Sequence, residues 1–524
     1  MLPDVLQSLP VEIFVKIFEL LDGRDISRCS LVCKFFSGVV KGSAELQYRI
    51  QLTIEGVAET EGMPTHSVVA ERLETLLARR HGWNTMKWMK KITITYKADM
   101  PWYFSDGILL SMRRSSSHQL VAVIDQLPTR GSEDGSRTCI ELPGLTSAPK
   151  VIAHDATQDL LVFVTRSDKL ADDPAEWFYI DIHLRSLSTG ATHPSAQLPR
   201  LECKRKTLHE HHGYQLGICG DVLVLLCRDP GYGGITISAL RGWHWKTGDC
   251  FGHIGPPNPQ PFCDFAFLTP DILLLSNPAG GQIKVLTTDF VHLLTLQLPS
   301  WGVPPEGMSI SCSAVADSRI SADALPNDRI VSVMFDQAFH AVSFFEPPDI
   351  YRMEITFRAQ TVFQLLAVHG RRPPVDIPAA THVIVVSWDE WGPDACRMFV
   401  LASDMRVDYN SRRMQQATHG MRSVRTFHVP DRAQVLDFNV TRHMGTLGAG
   451  DPDANPAALI TKPTILEPVD DGYQCEVVTK LPYAAIDIPN SEAYCGYLLD
   501  EQRLLGIKHR VEDRPDQEID VFVF

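Results

Sequence analysis

The sequence predicts a multidomain α+β protein: a small N-terminal module of three helices, a linker helix, and a large all-β domain, a β-propeller of about seven blades. Three observations predict it. Helical periodicity is confined to the opening stretch of a 524-residue chain. From about residue 95 onward, short runs of Val, Ile, Leu and Phe alternate with clusters of Gly, Pro, Asp and Ser. Those runs recur at roughly 50- to 65-residue spacing, which is the mark of repeated units. The boundaries implied are 5–50 for the helical module, 51–95 for the linker, and 96–524 for the β-domain.

The β-domain is the longest element and the least regular. Strand-like runs stand at "HDATQDLLVFV" (154–164), "CGDVLVLLC" (219–227), "TPDILLLS" (269–276), "PNDRIVSVMF" (326–335), "HVIVVSW" (382–388) and "LLDEQRLLGIK" (498–508). Several begin with an Asp-containing turn. "IHLRSLSTG" and "HWKTGDC" each end a strand at a hairpin turn that needs glycine, at Gly190 and Gly248. A sandwich takes ~100 residues, so a single one cannot hold this length; two consecutive β-domains are the alternative to a propeller. "WKTGDC" and "SWDE" (387–390) have the look of the closing strand of WD-type repeats. No long helix is expected in this zone, and "RRPPVDIPAA" (371–380) forbids one locally.

The first helix is too apolar for its length. On a wheel of ~100° per residue, Glu12, Lys16 and Glu19 share one narrow stripe. Val11, Ile13, Phe14, Val15, Ile17, Phe18, Leu20 and Leu21 cover roughly 220°, against a little over ~100° for an ordinary surface helix. Pro10 suits the first turn, and Glu12 with Lys16 reads as an i,i+4 pair. Asp22-Gly23 reads as the stop, Gly23 being left-handed, with Asp25 opening the second helix. Two short helices can cover Phe14, Phe18 and Leu21, but they leave Ile13, Ile17 and Leu20 outside with Leu9 and Pro10. An apolar surface of that density marks an interaction site, unless the β-domain covers it. The linker "EGVAETEGMPTH" (55–66) argues that the module sits apart.

"LPVEIFVKIFELLDGRDISRCSLVCKFF" (9–36) resembles an F-box. Leu9, Pro10, Glu12, Ile13, Ile17, Phe18, Leu21, Asp25, Ile26, Leu31, Val32, Cys33 and Lys34 match the family pattern. Phe36 departs from it, standing where the family often has Trp. The resemblance covers about 45 residues of the chain. It implies a three-helix module docked on a Skp-type adaptor through Leu9, Pro10, Ile13, Ile17, Leu20, Leu31, Val32, Cys33 and Phe36. "ERLETLLARRHGWNTMKW" (71–88) resembles the linker helix of a group of fungal F-box proteins, in which two tryptophans, here Trp83 and Trp88, introduce a propeller-like domain. Alternatively, Leu73, Leu76, Leu77 and Trp83 simply pack that helix on the first blade.

Composition narrows the function. The net charge is −14, which argues against a nucleic-acid binder driven by phosphate contacts. The linker helix is locally basic, and the first 50 residues are neutral, so the acid excess lies beyond them and favours a basic target segment. No run approaches the ~18 apolar residues of a membrane span. "MLPDVLQSLP" shows no secretory pattern, so an intracellular protein, cytoplasmic or nuclear, is expected. The twelve cysteines show neither disulfide nor zinc spacing and read as reduced, mostly core residues. "HEHH" (209–212), "GYGG" (231–234) and the acid pairs Asp172-Asp173 and Asp470-Asp471 read as turns or solvated loops, and the three basic residues of "KRK" (204–206) are too few to read as a nuclear-import address.

With no nucleophile beside a base, no catalytic residue, metal or cofactor is expected. The resemblance then implies a substrate-receptor subunit of an SCF-type cullin–RING ubiquitin ligase, holding adaptor and cullin at one end and an unknown target protein on the β-domain. The alternatives are an F-box scaffold outside any ligase and a propeller hydrolase with converging acids in its channel.

Overall fold

A computed structural model of the chain describes residues 9–56, 68–97, 100–115, 119–132, 134–143, 145, 148–167, 177–206, 213–230, 236–255, 262–300, 305, 307–313, 328–338, 350–369, 383–401, 417–428, 431–444, 457–468, 475–509 and 516–524. The segments "HEHH", "GYGG" and "RRPPVDIPAA", both acid pairs and most of the linker at 55–66 lie outside them.

Among the described residues the N-terminal module has four helices where three were expected: α1 (Val11–Phe18), α2 (Gly23–Ser30), α3 (Lys34–Gly42) and α4 (Ala44–Glu55). Its core is Phe14, Phe18, Ile26, Val39, Val40 and Leu46, with the Phe14 ring edge-on to Phe35 at 5.1 Å. Two sequence readings are corrected. Gly23 is not a left-handed stop. It is the first residue of α2, behind an Asp22 cap whose side chain accepts from Asp25 N at 2.8 Å. It must be glycine for another reason: a Cβ there would stand 2.5 Å from the Arg49 carbonyl on α4. Lys16 pairs with Glu19 at 2.8 Å, one turn away, rather than with Glu12.

The linker helix α5 (Val69–Thr85) packs on the last blade, not the first. Trp83 is fully buried and stacks on Phe524 with ring centroids 4.1 Å apart. Its indole Nε1 donates to the Glu501 carbonyl at 3.2 Å. Trp88 meets Phe522 at 4.7 Å. The module does not sit apart either. At the end of α4 the Asn439 amide donates to the Ile54 carbonyl at 2.6 Å, and Arg442 Nη2 donates to the Glu55 carbonyl at 2.8 Å.

Beyond α5, the described strands form a β-propeller of seven blades, spanning 102–142, 151–206, 213–254, 265–297, 307–401 and 418–488, with the seventh at 494–523. Blade seven takes its outermost strand from the chain's other end: Lys90–Lys97 pairs antiparallel with Asp516–Val523, from Lys90↔Val523 to Lys97↔Asp516. Ring closure of this kind removes the sheet edges that an open array would expose. The strand Lys90–Lys97 therefore belongs to the propeller.

The recurring Asp-turn phrases have one structural meaning. In blades two, three, four and seven they are the hairpin from the innermost strand into the second, most buried strand, and in blade five the described part of the phrase opens that second strand at Ile330. Leu160–Arg166, Val222–Pro230 and Ile272–Asn277 are such strands, and their near-continuous apolar runs follow from burial on both faces between neighbouring blades. Gly190 and Gly248 occupy the expected hairpin turns with φ of +70° and +84°.

"HVIVVSW" is different. Among its described residues only Val385–Val386 is a strand. It pairs in parallel with Thr295 and Leu296 at the outer edge of blade four, and Trp388 opens a helix rather than closing a blade. That helix, α7 (Trp388–Ala395), and the eleven-residue α6 (Ala359–His369) interrupt blade five, where the sequence pattern shows only strands. Both form because Val362, Trp388 and Trp391 bury their side chains against blades four and five. Trp391 Nε1 also donates to the Gln297 carbonyl of blade four at 2.9 Å.

All twelve cysteines are free; four are buried, five half-buried and three exposed, so fewer are core than the sequence implies. No described helix is long and apolar enough to cross a membrane. Among the described residues, no cluster of three or more His, Cys, Asp or Glu is placed to hold a metal.

Candidate protein-binding surfaces

Two surfaces stand out: an apolar rim on the helical module and the cavity of the propeller channel.

The rim follows from helix geometry. Phe14 and Phe18, four residues apart, lie on one face of α1 and are buried. Ile13 and Ile17 lie on another face and remain exposed, as do Leu9, Pro10 and Val11. Leu20, beyond the end of α1, is 86% exposed. Leu31 and Val32 lie in the turn between α2 and α3 and are 84% and 69% exposed. The surplus seen in the sequence is thus uncovered surface, and the β-domain does not lie over it.

Two residues that the resemblance assigns to this surface also serve the module itself. Cys33 caps α3, its Sγ accepting from Phe36 N at 3.4 Å. Phe36 is half-buried, with its ring 5.7 Å from Phe14 and 5.2 Å from Phe18. An aromatic at that position closes the hydrophobic core whether it is Phe or Trp. Val11 is the member of the exposed set that sequence reasoning left out of the surface. Its place on the apolar arc was the available signal.

The second surface is the channel around which the blades stand. Its cavity of about 140 Å³ is lined by innermost strands and the turns that follow them, with contributions from blades one, three, four, five, six and seven. Among the described residues two carboxylates line it, Asp106 and Asp500. Asp500 is committed to its own turn: it accepts from Gln502 N and Arg503 N, both at 2.8 Å, and pairs with Arg503 Nη1 at 2.6 Å. This cavity was missed in the sequence because its wall residues come from blades far apart in the chain.

Comparison with known proteins places the helical module. Residues 6–52 match the family model described as F-box-like. No curated protein matches the chain by sequence. Among solved structures the chain is similar to the WD40 domain of Toxoplasma gondii coronin at 8% identity, covering 83% of this chain and 87% of that one, with a TM-score of 0.32. It is also similar to the WD40 domain of SCAP from fission yeast, at 9% identity, 83% and 98% coverage, and a TM-score of 0.31. A Bacteroides uniformis protein assigned as a 6-phosphogluconolactonase is similar at 6% identity, 74% and 88% coverage, and a TM-score of 0.30. The chain thus carries an F-box-like domain at residues 6–52 followed by a seven-bladed propeller-like β-domain.

Proposed function

We propose that this chain is the substrate-receptor subunit of an SCF-type cullin–RING ubiquitin ligase, working inside the cell. The observation that carries the reading is the exposed rim of Leu9, Pro10, Ile13, Ile17, Leu20, Leu31 and Val32 on an F-box-like module. In this reading the rim, with Cys33 and the accessible part of Phe36, is the docking surface for a Skp-type adaptor, which brings the cullin. Burying six to eight such side chains gains on the order of 10–20 kcal/mol. Association and ordering costs remove much of it and leave enough for a stable complex. The propeller holds a target protein so that its lysines meet the charged ubiquitin-conjugating enzyme. The chain supplies proximity and performs no chemistry itself.

The test is co-purification of the tagged full-length chain with a Skp-type adaptor and a cullin, beside a Leu9→Ala, Pro10→Ala variant. The reading expects both partners with the wild type and neither with the variant, the propeller remaining folded. Adaptor binding that survives in the variant overturns the docking surface. Adaptor without cullin overturns the ligase and leaves a scaffold.

A further inference from the structure

The channel cavity holds a buried polar atom that no described group of the protein satisfies. Gln215 is 6% exposed, and its Nε2 donates to the Phe265 carbonyl at 2.8 Å. Its Oε1 is buried without a hydrogen-bond partner, in a side chain that lines the cavity. A buried acceptor left unmet costs about 1–3 kcal/mol, so Gln215 Oε1 offers an open acceptor to water or to a donor from a partner.

The same wall carries Asp106. Its carboxylate is exposed at the turn into the second strand of blade one, where Ser105 Oγ donates to it at 2.9 Å. No lysine or arginine pairs with it among the described residues. Asp500, by contrast, is neutralised by Arg503 at 2.6 Å. Phe265 and Phe267 complete an apolar side. Their rings close on Gly217, where a Cβ would meet Phe265 at 2.8 Å. One water needs about 10–15 Å³ of such space, so a cavity of about 140 Å³ admits a four-carbon stem with its charged head.

We propose that this cavity receives a cationic side chain, lysine or arginine, from a partner polypeptide. The charge meets Asp106, an N–H donates to Gln215 Oε1, and the aliphatic stem lies against Phe265 and Phe267, whose ring faces also attract a cation. The net charge of −14 favours approach of such a segment. Burial pushes up the thiols of Cys219 and Cys312 in the cavity wall, and the buried Arg329 opposes that shift, so Arg329 is the basic group an anion in the cavity would meet. This inference stands whether or not the chain joins a ligase, because the helical module takes no part in it.

The test is saturation-transfer NMR on the full-length chain with butylammonium, butylguanidinium and butyrate. A pentapeptide with a central lysine, its norleucine counterpart and spermidine follow. The expected result is transfer to the two cations and the lysine peptide, and none to butyrate or the norleucine peptide. Asp106→Asn is the deciding variant: Asp106 has φ of +49°, a conformation asparagine adopts readily, so the turn survives while the charge goes. It should weaken lysine-peptide binding about tenfold or more, as expected for losing a charge-assisted hydrogen bond. Gln215→Met should weaken it severalfold. Preference for butyrate would assign the cavity to Arg329 and overturn the proposal. Cation binding that Asp106→Asn leaves unchanged overturns it too, as does a cavity that holds water only. Spermidine bound in preference to the peptide would overturn the polypeptide partner.

Discussion

Glu55 Oε2 lies 2.7 Å from Nε of Arg442, and both side chains are buried. The pair joins the last residue of α4 to the 3-10 turn Val440–Arg442 that follows the third strand of blade six. It is part of a larger set: Arg80 Nε stands 2.6 Å from Glu55 Oε1, and Arg442 Nη1 stands 3.0 Å from Asp437 Oδ2. Charges buried this deeply hold only when each has its partner in place. The apolar rim and the propeller channel are therefore held in one relative orientation.

Arg442→Met should be strongly destabilising, since it takes a buried cation from both Glu55 and Asp437 and leaves Glu55 to Arg80 and Asp437 to Arg422 and His443. Breaking a buried pair costs about 3–5 kcal/mol. Glu55→Gln added to Arg442→Met should cost less than the sum of the two single changes, because the second removes a buried charge the first left short of a partner. Denaturant unfolding of the four proteins in the cycle measures this coupling, and simple additivity would show that the pair does not act as a unit.

Acid should loosen the same junction. Burial disfavours ionisation of Glu55, but Arg442, Arg422 and Arg80 more than offset it and hold the carboxyl below its ordinary range. Burial also opposes ionisation of Asp437, where Arg442, His443 and Arg422 win by a wider margin. A carboxyl depressed in the folded state stabilises fully above its unfolded value, and the gain is lost as the pH falls toward the folded one. Stability should thus fall as the pH drops below the ordinary carboxylate range of about 4. Part of that fall should be absent from the Glu55→Gln, Arg442→Met double variant. Thermal unfolding between pH 7 and pH 3 reads the difference.

Trp83→Ala should cost about 3–5 kcal/mol, the range for emptying a large aromatic from a core. It removes the stack on Phe524 and opens the interface between blades six and seven, where Trp83 packs with Val424, Val435 and Leu504. Trp83→Phe, which keeps a ring over Phe524, should recover much of the loss. Urea midpoints compare the two, and equal midpoints would mean that the stack adds nothing.

Leu20→Asp with Leu31→Asp should abolish adaptor binding while shifting stability by no more than about 0.5 kcal/mol, because both side chains are already in water. The paired readouts are adaptor co-purification and the unfolding midpoint. A large fall in the midpoint would make these leucines structural rather than part of a docking surface.

The apolar arc of α1 was legible because helical side-chain direction depends on sequence spacing alone, and it sorted Phe14 and Phe18 from Ile13 and Ile17 correctly. The repeated Asp-turn phrases were legible as strands, yet the innermost hairpins of blades one and six went unseen. There "SDGILL" (105–110) and "THGMRSV" (418–424) are shorter or less apolar. Lys16 was paired with the wrong glutamate because i,i+3 and i,i+4 partners are equally near along a helix.

The sequence by itself determined the division into a helical opening and a repeated β-domain, the apolar excess of the first helix, and the turns at Gly190 and Gly248. Each depends on residues within a turn or two of one another. Tertiary structure alone decided what joins distant parts. Gly23 is glycine because α4 passes against it, Trp83 rests on Phe524 because the last strand closes the ring beside the first, and Glu55 meets Arg442 across 387 positions. No local pattern encodes such contacts, because their partners are chosen by the folding of the whole chain.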